Sequence, residues 1–229
     1  MAGLQTIINK ASSLLIDRRK VVGLQITRNE IPRVTLTPTK QPWKMELEMP
    51  SSLKYYNNRD LLEALDTMDR VSPEIVTFSN NPCLNWIFRY QGTLSTTSTG
   101  LLIGSSVQSF NGNQLILNVP VVPGNRVIFE PNDLIQLGNY PYPFTSTTRV
   151  LGGSGTVTVT TNRPNILSYN VVGLSVTVGN ACKFNVFCPN MPTYKLIPGG
   201  YTNINGSTIN NALIEFNDSF QLYEYVGTA

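Results

Sequence analysis

Apolar and polar residues alternate with a period of two along much of this chain, a spacing that predicts strands with one buried face. Val22, Leu24 and Ile26 alternate with smaller or polar partners, as do Val34 and Leu36, and then Trp43, Met45, Leu47 and Met49. One face of such a strand meets a core and the other stays wet or docked. Pro32, Pro38 and Pro42 fall between the runs, where a missing amide donor does least harm. Two segments carry helical spacing instead. Leu4, Ile7, Ile8, Ala11, Leu14 and Leu15 suggest a short amphipathic helix or a partly ordered arm over residues 4–16. The clearest helix is predicted from Asn57 to Arg70, with Asn57 as its cap, Asp60 in the third position, and Leu61, Leu62, Leu65 and Met68 on one face. Ser72-Pro73 ends it.

From Ile75 onward the period of two returns. After a turn at Asn80-Asn81-Pro82, Leu84 to Tyr90 reads as an aromatic-rich strand with Trp86, Phe88 and Tyr90 on one face. Residues 92–100 read as a loop. Phe110-Asn111-Gly112-Asn113 is a hairpin signal, followed by Leu115, Leu117 and Val119 in alternation. Turns at Pro123-Gly124-Asn125 and Pro131-Asn132-Asp133 set off Val127 with Phe129, and Leu134 to Leu137. Thr145–Thr148 and Thr156–Thr161 are β-branched strands on either side of Gly152-Gly153-Ser154-Gly155. Ser175–Val178, Lys183–Phe187 and Phe216–Val226 continue the series, while 198–212, rich in Gly, Asn and Thr, reads as a loop. Short strands and tight turns in succession predict a mainly β protein, a sandwich or barrel with a packed helix. Residues 1–75, with helix 57–70, and the closing strands of 166–229 form one expected domain. Residues 76–165 form an inserted, β-barrel-like domain, since insertion is easy when both ends lie close together.

Composition changes this picture in one respect. Only 14% of residues are charged, well below the quarter or so usual in a globular domain. Asn, Thr and Ser can keep such a surface wet, but a surface covered by neighbours in an assembly accounts for it better. Net charge is +3 and uneven: residues 1–70 hold 11 Lys/Arg and 8 Asp/Glu, while 201–229 hold three acids and no base. No basic stripe of the kind a phosphate backbone rewards is present. Asp17-Arg18-Arg19-Lys20 is a charged patch, either a solvated turn or a docking patch for an acidic neighbour. Cys83, Cys182 and Cys188 are odd in number and widely spaced, which suits a reducing cytosol, and Cys182 and Cys188, six apart with Phe184, Val186 and Phe187 between them, read as buried thiols. A signal peptide's order of basic then apolar residues is missing at the start, and no apolar run approaches the roughly 18 residues of a membrane span. The glycosylation patterns at Asn205 and Asn217 are therefore expected to be incidental.

Candidate chemistry is sparse. Histidine is absent from all 229 residues, which removes the usual general acid–base at neutral pH. Glu46 with Glu48, and Glu130 with Asp133, are the nearest to a carboxylate dyad, but such pairs usually come from separate elements, and solvated or ion-paired carboxylates are the plainer reading. Three scattered cysteines do not make a zinc site. No calcium loop, phosphate loop or dinucleotide fingerprint appears, so no metal and no cofactor is expected. Aromatic residues cluster at Tyr55-Tyr56 and at Tyr140-Pro141-Tyr142-Pro143-Phe144. Rings interleaved with cations would suit single-stranded nucleic acid, but only Arg89 and Arg149 lie near. Core packing or subunit contact is the default for these rings.

Several stretches together resemble the baseplate and tail structural proteins of contractile-tailed phages, especially T4-like phages of cyanobacteria. They are Gln41-Pro42-Trp43-Lys44-Met45-Glu46-Leu47, Leu53 to Leu62, Leu65-Asp66-Thr67-Met68-Asp69-Arg70, Asn81 to Trp86, Tyr90-Gln91-Gly92, Asp133 to Gly138, Tyr142 to Thr145, and Pro192 to Gly199. The resemblance implies a tail-tube-like β-sandwich or barrel with a packed helix and an inserted β-barrel, located in the virion tail or baseplate after synthesis in the host cytoplasm. It implies a non-catalytic structural role: copies of the chain form or adapt a ring, contact other baseplate and tail tube proteins, and let DNA pass without specific binding. Arg18, Arg19, Lys20, Trp43, Tyr55, Tyr56, Tyr140 and Tyr142 are the candidate interface residues. The competing expectation is a receptor-facing, glycan-binding module that exposes Tyr140 and Tyr142.

Overall fold

The computed structural model describes residues 3–18, 22–26, 32–36, 42–68, 72–94, 98–120, 122, 126–153, 155–165 and 170–226. In chain order the elements are α1 (Gly3–Lys10), β1 (Ser13–Asp17), β2 (Val22–Ile26), β3 (Pro32–Leu36), β4 (Lys44–Glu48), β5 (Leu53–Lys54), α2 (Arg59–Thr67), β6 (Glu74–Thr77) and α3 (Leu84–Phe88). Next come β7 (Ser106–Asn111), β8 (Gln114–Val119), β9 (Val127–Phe129), β10 (Leu134–Leu137), β11 (Phe144–Thr145), β12 (Val150–Leu151), β13 (Gly155–Thr160) and β14 (Val176–Val178). The last are β15 (Lys183–Asn190), β16 (Tyr194–Ile197), β17 (Tyr201–Ile204), β18 (Ser207–Asn210), β19 (Leu213–Phe216) and β20 (Phe220–Glu224).

These elements make a mixed α/β fold of several open antiparallel sheets with three short helices, and no sheet of the described residues closes into a barrel. The expected mainly β, tail-tube-like sandwich or barrel with a second small β-barrel is corrected accordingly. Alternation along a strand reports one buried face. Closure depends on tilt and stagger between strands, which alternation does not encode. The largest sheet runs β1-β4-β20-β15-β6 and ends on two edges.

The chain divides into two compact units. The first takes Met1–Ile16, Lys44–Arg89 and Asn180–Tyr225; the second takes Asp17–Trp43, Tyr90–Gly179 and Val226–Ala229. In the first unit, alternation in β4, β15 and β20 becomes one continuous apolar surface. Leu47 lies opposite Phe220, Met45 opposite Leu222, and Phe184 opposite Val76, all buried. Helix α1 lies against β6 and α2 and buries Leu4, Ile7 and Ile8. Gly3 permits this approach: a Cβ there would sit 3.0 Å from the Met68 side chain and 3.1 Å from the Ala64 carbonyl oxygen.

Asn81, wholly buried, ties α1 to α3. Its Nδ2 donates to the carbonyls of Ile8 and Ala11 at the end of α1, and its Oδ1 accepts the amides of Cys83 and Leu84 at the start of α3. The side chain thus satisfies orphan groups at two helix ends. This is why Leu84–Phe88 is helical, where aromatic alternation predicted a strand to Tyr90. Helix α2 also begins later than expected, at Arg59, because Tyr55–Asn57 winds as a tighter 3-10 turn. Asn58 occupies the capping position, with its side chain donating to the Lys54 carbonyl (2.8 Å). Leu61 and Leu65 are buried, as their spacing required.

The second unit holds the hairpin β2-β3 and the sheets β11-β10-β14, β12-β9 and β13-β8-β7. Its core gathers Leu115 and Leu117 of β8, Val159 of β13, Ile135 and Leu137 of β10, Phe144 of β11, and the rings of Tyr140 and Tyr142. The β7-β8 hairpin turns at Gly112, whose φ of +54 suits the first position of a two-residue loop. Gly92, at φ +56, has no room for a side chain: a Cβ would fall 2.2 Å from the Val127 carbonyl oxygen.

Candidate functional site

The most unusual surface lies in the first unit, between residues 194 and 212. Strand β16 is an edge strand of the sheet β16-β19-β5, and all four of its residues are exposed. After it comes the hairpin β17-β18, where 198–212 was expected to be a loop. Asn205 and Gly206, at φ +50 and +79, form the two-residue turn, the pairing favoured in hairpins of the I′ type. Every residue of β17 is exposed, Tyr201 by 75% and Ile204 by 51%. The run Leu196–Ile214 contains no charged residue. Lys195, beside it, is ion-paired to Glu215 on the neighbouring strand (2.8 Å).

The ladder fixes which backbone groups of β16 remain open. The Asn217 amide donates to the Thr193 carbonyl (3.0 Å), and Lys195 faces Glu215 two residues on. Hydrogen-bonded pairs recur every second residue in an antiparallel ladder. Thr193, Lys195 and Ile197 therefore point their N–H and C=O groups toward β19. Strand β19 agrees, because the Ala212 carbonyl accepts the Tyr55 amide on the β5 side (2.8 Å). Tyr194 and Leu196 thus turn their N–H and C=O outward. Pro192 and Pro198, the next outward positions on either side, have no N–H to offer. The same parity applies to β17. The Asn211 amide donates to the Gly200 carbonyl (2.9 Å), which leaves Tyr201 and Asn203 with outward groups.

The predicted interface residues are dispersed. Arg19 and Lys20 lie outside the described residues. Arg18 donates from Nη2 to Asn132 Oδ1 (2.8 Å), and its guanidinium lies 5.7 Å from the Trp43 ring. Trp43 is buried and also carries the Arg163 guanidinium at 4.2 Å. This is a packed cation–π stack. Tyr140 and Tyr142 are 5% and 4% exposed and meet edge to face at 4.8 Å, so their rings are core. Tyr55 is half-buried with Arg59 over its ring (5.6 Å). Tyr56 is exposed, on the 3-10 turn that lies against β18. The structure therefore brings Tyr55 and Tyr56 to the margin of the exposed arm. Tyr194, Leu196, Tyr201 and Ile204 are not among the candidate interface residues, although Tyr194 and Leu196 lie in a stretch that carries the resemblance. The dipeptide Asn205-Gly206 between β-branched and aromatic residues was the signal that could have found them.

The carboxylates considered for catalysis hold structure. Asp133 Oδ2 accepts the amides of Gly92 and Glu130. Burial pushes its carboxyl above the ordinary carboxylate range, against the opposing pull of those hydrogen bonds. Glu130 pairs with Arg149 (2.8 Å) and Glu46 with Lys44 (2.7 Å), while Glu48 accepts the Ser13 hydroxyl (2.8 Å). No cluster of three potential metal-ligating side chains occurs among the described residues. Cys182 and Cys188 are buried and Cys83 is exposed; burial pushes the Cys182 thiol up, away from reactivity. No described helix is long and apolar enough to cross a membrane. No protein-family model matches the chain, and no curated protein matches it.

Proposed function

We propose that this chain is a non-catalytic structural subunit that works by contact with other subunits. The observation that carries the reading is the uncharged, exposed arm beside an open strand edge in the first unit. An exposed edge is a template for pairing with another chain. A low charge content suits surfaces that become covered. Together with the resemblance to phage baseplate and tail proteins, this supports a virion protein that forms or adapts a ring in the central baseplate or tail tube, with copies of itself and other tail proteins as partners. DNA would pass such a ring without specific binding, in keeping with a net charge of only +3. The reading requires no cofactor. A glycan-binding module lacks its exposed aromatic platform, since Tyr140 and Tyr142 are buried.

The test is the mass of the purified chain in solution, alone and mixed with tail proteins of a contractile phage. A defined ring, or a monomer that joins one only with those partners, is the expected result. A monomer indifferent to every tail component sinks the reading.

A further inference from the structure

We infer that β17 of one copy lies antiparallel along the open β16 edge of a second copy, so that the two copies pair about a two-fold axis. The inference rests on the assembly reading above and gives it a specific contact.

Hydrogen-bond parity selects the register. With Leu196 opposite Tyr201 of the next copy and Tyr194 opposite its Asn203, each outward N–H and C=O on both strands finds a partner. Leu196 then faces an aromatic ring, a favourable cross-strand pair. Lys195 faces the uncharged Thr202.

Charge and proline exclude the simpler alternative, β16 against its own copy. The one antiparallel self-register that satisfies both Tyr194 and Leu196 puts Lys195 directly opposite Lys195, which is repulsive. Sliding by one step in either direction brings Pro192 or Pro198 into the ladder, where no donor is available. The arm itself also calls for a cover. A two-stranded hairpin is marginal in water by itself, and this one holds Tyr201 and Ile204 in solvent. Because β17 follows β16 along one edge, with β18 leading on into β19 beside them, the register is its own two-fold image: Tyr201 of each copy meets Leu196 of the other, and the contact is isologous. It closes as a dimer, and a larger ring is built from such pairs through further contacts.

The experiment is sedimentation of the full chain and of two variants, with circular dichroism confirming that each is folded. Leu196→Pro removes an outward N–H that the fold does not use. Thr202→Lys sets a like charge against Lys195. Each variant alone is expected to self-associate at least about tenfold more weakly than wild type. Mixed in equal amounts, they should form mixed dimers more readily than either variant pairs with itself, because the intact arm of Leu196→Pro fits the intact edge of Thr202→Lys and restores one of the two strand contacts. Thr202→Glu, opposite Lys195, should associate like wild type. The contact is overturned if both variants assemble like wild type, if the mixture stays monomeric, or if Thr202→Glu is as weak as Thr202→Lys. A ring that survives both variants leaves the structural-subunit reading standing and removes only this contact. A wild type that is monomeric alone but joins tail proteins through an edge abolished by Leu196→Pro shows that the strand comes from another protein, which also overturns the second-copy contact.

Discussion

Two edge strands of the first unit, β6 and β16, solve the same problem in opposite ways. On β6, the Gln5 side chain closes the outer side: its Nε2 donates to the Thr77 carbonyl (2.9 Å) and its Oε1 accepts the Thr77 amide (3.0 Å). The Glu74 carboxylate accepts the Leu4 amide at the start of α1 (3.1 Å). A helix and one primary amide thus stand in for a missing strand, one of the ways proteins blunt sheet edges. On β16, no such cover exists among the described residues, and prolines confine the open stretch to Tyr194 and Leu196. One edge is sealed from within, while the other is left short and selective. The difference teaches that an unpaired strand is informative when a neighbouring strand in the same unit has been deliberately covered.

The contrast can be broken from the sealed side first. Ile8→Ala removes a wholly buried side chain from the covering helix. It should cost about 2–5 kcal/mol of stability, read from the denaturant midpoint. Thr77→Pro deletes the amide that Gln5 holds and should cost about 3 kcal/mol. Gln5→Ala leaves both Thr77 groups to solvent. About 1 kcal/mol is expected to be lost, with faster hydrogen exchange at the Thr77 amide while the rest of the sheet keeps its protection. Smallest is Leu196→Pro, the matching change on the open edge, with an expected stability shift within about 0.5 kcal/mol. Equal costs for Thr77→Pro and Leu196→Pro would show that the two edges do not differ as described.

Much of this was legible in the residue pattern. Met45 with Leu47, and Phe220 with Leu222, announced β4 and β20 because each faces a core on alternate residues. Asn111-Gly112 announced the β7-β8 hairpin. The arm was missed because β17 has no buried face, so its apolar residues show no useful period; only its turn dipeptide carried the information. Helix α3 was missed because a buried asparagine from the preceding turn caps it, a tertiary arrangement with no local period. The same alternation suits a barrel and an open sheet, because closure is a property of strand stagger. The site suffered most. Tyr140 and Tyr142 are flat rings and Trp43 belongs to a strand that alternates, and ring chemistry alone does not distinguish a platform from a core.

The strand order of the largest sheet also sets a timetable for synthesis. Strand β4 finds its partner in β20, with Leu47 opposite Phe220, so it waits for a segment 173 residues later in the chain. By contrast, β7, β8 and β13 meet their partners within 106–160. Local pairings close quickly and distant ones slowly. On the ribosome the β7-β8-β13 sheet can therefore form while β4, with β1 on one side, still lacks β20 on the other. The arm and its edge emerge before β20 completes that sheet, and premature pairing between nascent chains is the hazard this order creates.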